Sequence, residues 1–162
     1  MTDKETSIVV SLSAQRLECS IRNERLSYSV STATNGSGQK RDSGCTPLGQ
    51  HQIVEKIGYG VPVDTVFIGR EATGELYSEN LASESPDRDW ILTRIIWLTG
   101  IEDGYNKGGL IDTKSRFIYI HGSPDSTPMG AAGSAGCIRM RNDDVIEVFD
   151  LVVVGTKVTI SE

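Results

Sequence analysis

Gly133-Ser134-Ala135-Gly136-Cys137-Ile138-Arg139-Met140 is the stretch on which the reading of this chain turns, together with the upstream tetrapeptide Tyr119-Ile120-His121-Gly122. The two segments supply a sulfur nucleophile, a candidate base and a backbone able to cradle an anion. A cysteine attacks a carbonyl only as thiolate, so an imidazole that accepts its proton turns an inert thiol into a reagent. Gly136, immediately before the cysteine, permits a sharp turn that aims backbone N–H groups at a developing oxyanion. Alone, Cys137 reads as a small buried hydrophobe and His121 as a structural histidine. Their pairing in a glycine- and serine-rich setting favours catalysis over both.

Around this pair, several residues carry two open readings. His121 needs an orienting group, and no acidic residue adjoins it. A backbone carbonyl of Gly122 or Ser123 accepting from Nδ1 would leave Nε2 facing the thiol, with Asp125 as the less favoured orienter. Arg139, two residues past Cys137, falls on the same side of an extended segment. It is either a guanidinium fork for a substrate carboxylate or an ion pair bracing the loop. Tyr119 shares a strand face with His121 and either donates to substrate or packs in the core. Ser134 either stabilises the loop or contacts substrate. His51 reads as a strand decoration, and Cys19 and Cys45 as structural. A zinc site built from His121, Cys137 and Cys45 would lack a fourth ligand and any metal spacing, so no metal or cofactor is expected.

Outward from the site, the chain of 162 residues is long enough for one domain with a sizeable core, expected over 1–162 with its folded part at about 8–160. A formal net charge of −6 argues against non-specific nucleic-acid binding. Residues 1–7 are mixed in charge, and the apolar run Ile8-Val9-Val10 is broken by Ser11. A secretory signal needs a basic start and an apolar stretch of about 7–15 residues, and a membrane span needs roughly 18. The expectation is a cytoplasmic protein with no membrane partner. Three cysteines, an odd number with no C-x-x-C pair, read as free thiols in a reducing compartment.

Alternating and β-branched runs at 8–12, 16–21, 26–32, 50–57 and 61–68 predict strands. The apolar run 90–98 predicts a central strand, and 117–120 a short one delivering His121 at its end. Residues 35–44 read as a loop, 69–89 as turn-rich, and 100–116 as a long surface excursion of the kind that often serves as a lid. One helix is predicted from Asn142 as N-cap, with Val145, Val148, Phe149 and Val152 as its core stripe. Residues 157–160 close the chain as a strand, so the class is mainly β.

These segments resemble the L,D-transpeptidase (YkuD-type) catalytic domain family of bacterial peptidoglycan metabolism. That family's pattern is a Thr-Pro-x-Gly turn, a His-Gly-Thr-like segment, Ser-His-Gly-Cys-Ile-Arg-Met, a short helix and a final Gly-Thr-x-Val-x-Ile strand. Here it runs as Thr46-Pro47-Leu48-Gly49, His121-Gly122-Ser123, Ser134-Ala135-Gly136-Cys137-Ile138-Arg139-Met140 and Gly155-Thr156-Lys157-Val158-Thr159-Ile160. The resemblance implies a single-domain β-sandwich or barrel-like sheet with one short C-terminal helix and long lid loops, 69–89 and 100–116 being the lid candidates. It implies Cys137 as nucleophile, His121 as base and the carbonyl of Gly122 as third member, with the N–H groups of Gly136 and Cys137 as oxyanion hole. Ser123 and Ala135 join the substrate-contacting set, Ala135 standing where the family usually has a second histidine.

Cross-linking members work outside the cytoplasmic membrane. With no export signal read at the N-terminus, the expectation becomes a cytoplasmic L,D-carboxypeptidase. It would release terminal D-alanine from the stem tetrapeptides of recycled muropeptides. An L,D-transpeptidase and a non-catalytic muropeptide-binding module are the alternatives. An activated Cys137 is further expected to label near pH 6 ahead of Cys19 and Cys45.

Overall fold

Ten short strands pair into one sheet in the computed structural model, which describes residues 6–162. Residues 1–5, on which part of the leader expectation rests, lie outside the described residues. β1 (Thr6–Ser11), β2 (Arg16–Ile21) and β3 (Glu24–Ser29) form an antiparallel meander. β10 (Lys157–Ser161) lies parallel to β1 and antiparallel to β4 (Gly49–Ile57). β4 pairs in turn with β7 (Ile91–Gly100), the strand predicted as central. The N-terminal end of β7 also takes β5 (Thr65–Ile68), whose hairpin partner is β6 (Glu71–Leu76).

The other edge of β7 pairs with β8 (Tyr119–Ser123), and β8 pairs in parallel with β9 (Ile138–Arg141). Ser31 and Arg139 exchange backbone hydrogen bonds of 3.0 and 2.8 Å, tying β9 back to the chain just after β3. The sheet therefore curls round on itself, and the barrel-like expectation describes it well.

Alternation along β7 and β8 divides the interior in two. Ile96, Leu98 and Ile120 face the main core, where the helix α2 (Asn142–Leu151) inserts Val145, Val148 and Phe149. Ile95 and Tyr119 face a smaller apolar cluster with Phe67, against which Trp97 and Cys137 pack. His121 follows Tyr119 by two residues, so the pleat puts it on Cys137's side of the sheet.

Several boundaries differ from the sequence reading. β8 runs through His121 to Ser123, so the histidine is held mid-strand instead of at a strand's end. The fifth strand shortens to Thr65–Ile68 because Pro62 cannot join a ladder. The third strand ends at Ser29, since Ser31 leaves β2 to bond β9. The 69–89 segment holds β6 and a short helix, α1 (Glu79–Glu84), capped by the Ser78 hydroxyl accepting the Leu81 N–H at 3.1 Å. In α2, Asn142 is the first helical residue and Arg141 holds the cap position.

The 100–116 segment is anchored from within. Asn106 is fully buried, its Nδ2 donating to the carbonyls of Leu48 (3.2 Å) and Gln50 (2.9 Å) while its Oδ1 accepts the Glu102 N–H (2.9 Å). His51 is equally buried, not a surface decoration of its strand. Its Nδ1 lies 3.0 Å from the Gly49 carbonyl and its Nε2 2.9 Å from the Thr113 hydroxyl. A carbonyl only accepts, so Nδ1 carries a proton, and the lowered pKa keeps the ring neutral near pH 7.

Burial lowers the His51 pKa to about 4. The unfolded chain, with histidine near 6.5, therefore binds the proton first, and stability falls as pH drops from about 6.5 to 4. The loss from this ring reaches about 3 kcal/mol. His51→Gln is expected to flatten that acid limb of the urea midpoint against pH, and an unchanged slope would reject the assignment.

Candidate active site

The parallel register of β8 and β9, Ile120 beside Ile138, brings the residue before β9 alongside the start of β8. Cys137 consequently meets Tyr119, whose N–H donates to Sγ at 3.3 Å. The thiol in turn donates to the Phe117 carbonyl at 3.4 Å. Phe117 has φ of 57°, a left-handed conformation uncommon for a bulky residue, and this turns its carbonyl toward the sulfur.

His121 is 1% exposed and lines the same cavity, about 400 Å³, as Cys137. Its Nδ1 lies 2.7 Å from the carbonyl of Gly122. That carbonyl fixes the proton on Nδ1 and leaves the Nε2 lone pair for proton transfer. Asp125 approaches Asn142 instead of the ring.

Burial favours the neutral form of both partners. Burial lowers the His121 pKa below its usual value, opposed by the Gly122 bond and by Asp89. Burial likewise pushes the Cys137 thiol up to about 12, against the pull of the Tyr119 N–H and of Arg139 and Arg116. Burial of the thiol acts against the early labelling of Cys137 expected near pH 6. Desolvation of the thiol favours proton transfer to His121 during attack over a standing thiolate.

The loop before the nucleophile is held by short polar bonds. Gly136 has φ of 136°, and a Cβ there would sit 3.2 Å from the Cys45 carbonyl and 3.3 Å from Ile118. The Ser134 hydroxyl donates to the Cys137 carbonyl at 2.6 Å and accepts the Gly136 N–H at 3.2 Å. Thr46, in the Thr-Pro-x-Gly turn, donates to the Gly136 carbonyl at 2.9 Å. Of the two N–H groups expected to face an oxyanion, Gly136's is thus engaged. Cys137's has no partner among the described residues.

The other expected residues are distributed unevenly. Arg139 donates to the Gly133 carbonyl and pairs with Asp89, each at 2.9 Å, so in this structure it braces the loop. Tyr119 is buried, and its hydroxyl accepts from Arg70 at 3.2 Å. Ala135 and Ser134 line the cavity, whereas the Ser123 hydroxyl turns to the Met140 carbonyl at 2.8 Å and ties β8 to β9. Among the described residues no cluster of three His, Cys, Asp or Glu side chains is placed to hold a metal ion.

Three features escaped the sequence reading. Arg116 donates to the carbonyls of Gly38, Gln39 and Cys45, strapping the 38–45 loop beside the nucleophile. Arg70 and Asp89 reach the cavity from the 69–89 segment. Beneath the base, Asn142 accepts from the Thr93 hydroxyl at 2.7 Å and donates to Asp64 at 3.1 Å. Thr93 has φ of 75°, strained for a β-branched residue, at the bulge where β7 slips against β8. The only sequence signal for this network was the asparagine at the helix start.

The sequence profile described as "YkuD: L,D-transpeptidase catalytic domain" matches residues 5–160. The chain is 42% identical over 50 residues to the putative L,D-transpeptidase YqjB of Bacillus subtilis, a match covering 31% of this chain and 28% of that protein. It is 52% identical over 42 residues to the putative L,D-transpeptidase YkuD of the same organism, covering 26% of each. Among solved structures, L,D-transpeptidase 3 from Mycobacterium tuberculosis in complex with a faropenem-derived adduct superposes with a TM-score of 0.60 at 18% identity. That superposition covers 98% of this chain and 60% of the other. An L,D-transpeptidase from Mycobacterium smegmatis gives 0.55 at 19% identity, covering 98% and 59%. The matched curated relatives are thus covered over less than a third of their length, and these solved structures over about three fifths.

Proposed function

Because the chain belongs to the YkuD family of L,D-transpeptidase catalytic domains, we propose that it is a cysteine-dependent L,D-carboxypeptidase releasing the terminal D-alanine from peptidoglycan stem tetrapeptides. The observation that carries the chemistry is the shared cavity wall of Cys137 and His121, with the imidazole proton pinned by the Gly122 carbonyl. Three unpaired cysteines suit a reducing compartment and support placing the reaction in cytoplasmic muropeptide recycling.

In this reading His121 Nε2 takes the thiol proton as Sγ attacks the carbonyl of the third stem residue, a diaminopimelate L-centre. The oxyanion receives the free Cys137 N–H, and the Tyr119 N–H stands beside the sulfur. A single such donor is typically worth about 2.7–4 kcal/mol. The carbon–nitrogen bond breaks as His121 returns the proton to the departing D-alanine amine, leaving a thioester on Cys137. Water then attacks the thioester, His121 accepts its proton, and the thiol leaves reprotonated.

A base that must be neutral, with its pKa lowered by burial, places the acid limb of kcat/KM below pH 6.5. Activity is expected to hold from pH 6.5 through neutrality. A limb centred well above 6.5 would indicate a different ionisation.

The transfer reading differs only in the second step, where a diaminopimelate side-chain amine replaces water, and the names of the similar solved structures favour it. Disaccharide-tetrapeptide incubated with the protein and followed by mass spectrometry separates the two. Tripeptide plus free D-alanine supports hydrolysis, and cross-linked dimer as the main product would replace it by transfer.

A further inference from the structure

Three guanidinium groups border the cavity of Cys137: Arg70, Arg116 and Arg139. Two are spent on the protein itself. Arg139 is bound to Gly133 and Asp89, and Arg116 to the carbonyls of Gly38, Gln39 and Cys45. Arg70 makes one hydrogen bond, from Nη1 to the Tyr119 hydroxyl, and no carboxylate pairs with it among the described residues.

Its placement is built by the backbone and the packing below it. Gly69 and Arg70 form the two-residue turn of the β5–β6 hairpin, with Ile68 paired to Glu71. Their φ values of 58° and 68° are those of a type I′ turn, a conformation the arginine adopts at a cost. The guanidinium carbon lies 4.9 Å from the ring centres of both Trp97 and Phe117. These cation–π contacts hold the group beside the cavity, and the Tyr119 hydroxyl takes only one of its N–H donors. Tyr119 links this group to the reaction centre, its N–H on Sγ and its hydroxyl on Arg70. The cation thus stands one tyrosine side chain from the sulfur and lines the same cavity.

We propose that Arg70 is the specificity-determining cation of the site and binds the free C-terminal carboxylate of the substrate's leaving residue. The inference rests on a stem tetrapeptide being the ligand of the Cys137 cavity. It does not depend on whether water or an amine resolves the thioester. Arg70 would make the enzyme prefer a chain end to an internal bond, taking the carboxylate-binding role that one reading of the sequence gave Arg139.

Binding isolates this from turnover. Calorimetric titration of the tetrapeptide, its C-terminal amide and its diaminopimelate-carboxylate amide into Cys137→Ala, and into the same protein carrying Arg70→Gln or Arg70→Lys, reads the contact directly. Arg70→Gln is expected to weaken the free acid by about tenfold or more, with Arg70→Lys intermediate. The terminal amide should bind the parent and the Gln variant alike. Equal weakening of acid and terminal amide, no weakening at all, dependence on the diaminopimelate carboxylate, or no binding of any peptide would each overturn the assignment. A cross-linked dimer in the product assay would end the hydrolytic reading while leaving this acid-to-amide ratio untouched.

Discussion

His121→Ala is expected to lower D-alanine release by about 10²–10⁴-fold, the range a positioned general base supplies. The size of the effect follows from the neutral resting state. With burial pushing the Cys137 thiol up to about 12, thiolate formation depends on proton transfer to the imidazole. A preformed ion pair would keep some nucleophile after loss of the ring through the nearby arginines. The proton-transfer route keeps very little. The ring is 1% exposed, so alanine also leaves a void in the wall, and His121→Gln serves as the better-filled control. Both variants should retain the cooperative urea transition while losing turnover. Parent-like kcat in either would remove His121 from the chemistry.

Gly122→Ala carries the second large effect, and it joins stability to catalysis. A Cβ at this position would fall 2.5 Å from the Asn142 Oδ1 and 2.5 Å from the Leu92 carbonyl, with Thr93 Cβ at 3.1 Å. One obstacle is backbone and another is a side chain already bonded to Thr93 and Asp64. Neither can yield cheaply, and overpacking of this kind costs about 1–3 kcal/mol. Any shift of the strand also displaces the Gly122 carbonyl that holds Nδ1 of the base. The variant should therefore unfold at lower urea and lose kcat by more than its folded fraction explains. A normal urea midpoint with full kcat would show that the tight packing under β8 is dispensable.

What the sequence disclosed, and what it withheld, divides along contact distance. The 133–140 segment and the Tyr119-x-His121 alternation were legible because local geometry decides them. A pleat places both side chains on one face, and a glycine before the cysteine turns the loop. The valine and phenylalanine stripe of α2 was legible for the same reason. Asn142 was readable only as a cap, since its buried partners Thr93 and Asp64 lie far away in sequence.

His51 and Asn106 look like ordinary surface residues until β4 and the 100–116 segment meet and bury both. Arg139 stood open between two roles because its partner Asp89 sits in a stretch that composition marked only as turns. The Gly136 N–H was assigned to an oxyanion hole, whereas the hydroxyl of Ser134, two residues away, engages it. That contact depends on a rotamer no sequence pattern reports.

The mechanism turns on a covalent bond to one sulfur, and that bond can be weighed. Purified protein mixed with excess stem tetrapeptide, quenched in acid within seconds and examined by intact and peptide-level mass spectrometry, should show a tripeptidyl adduct. The adduct should map to the peptide containing Cys137, appear together with free D-alanine, and vanish in Cys137→Ala. D-alanine released at the parent rate by Cys137→Ala, or an adduct carried by Cys19 or Cys45, would rule out Cys137 as the nucleophile.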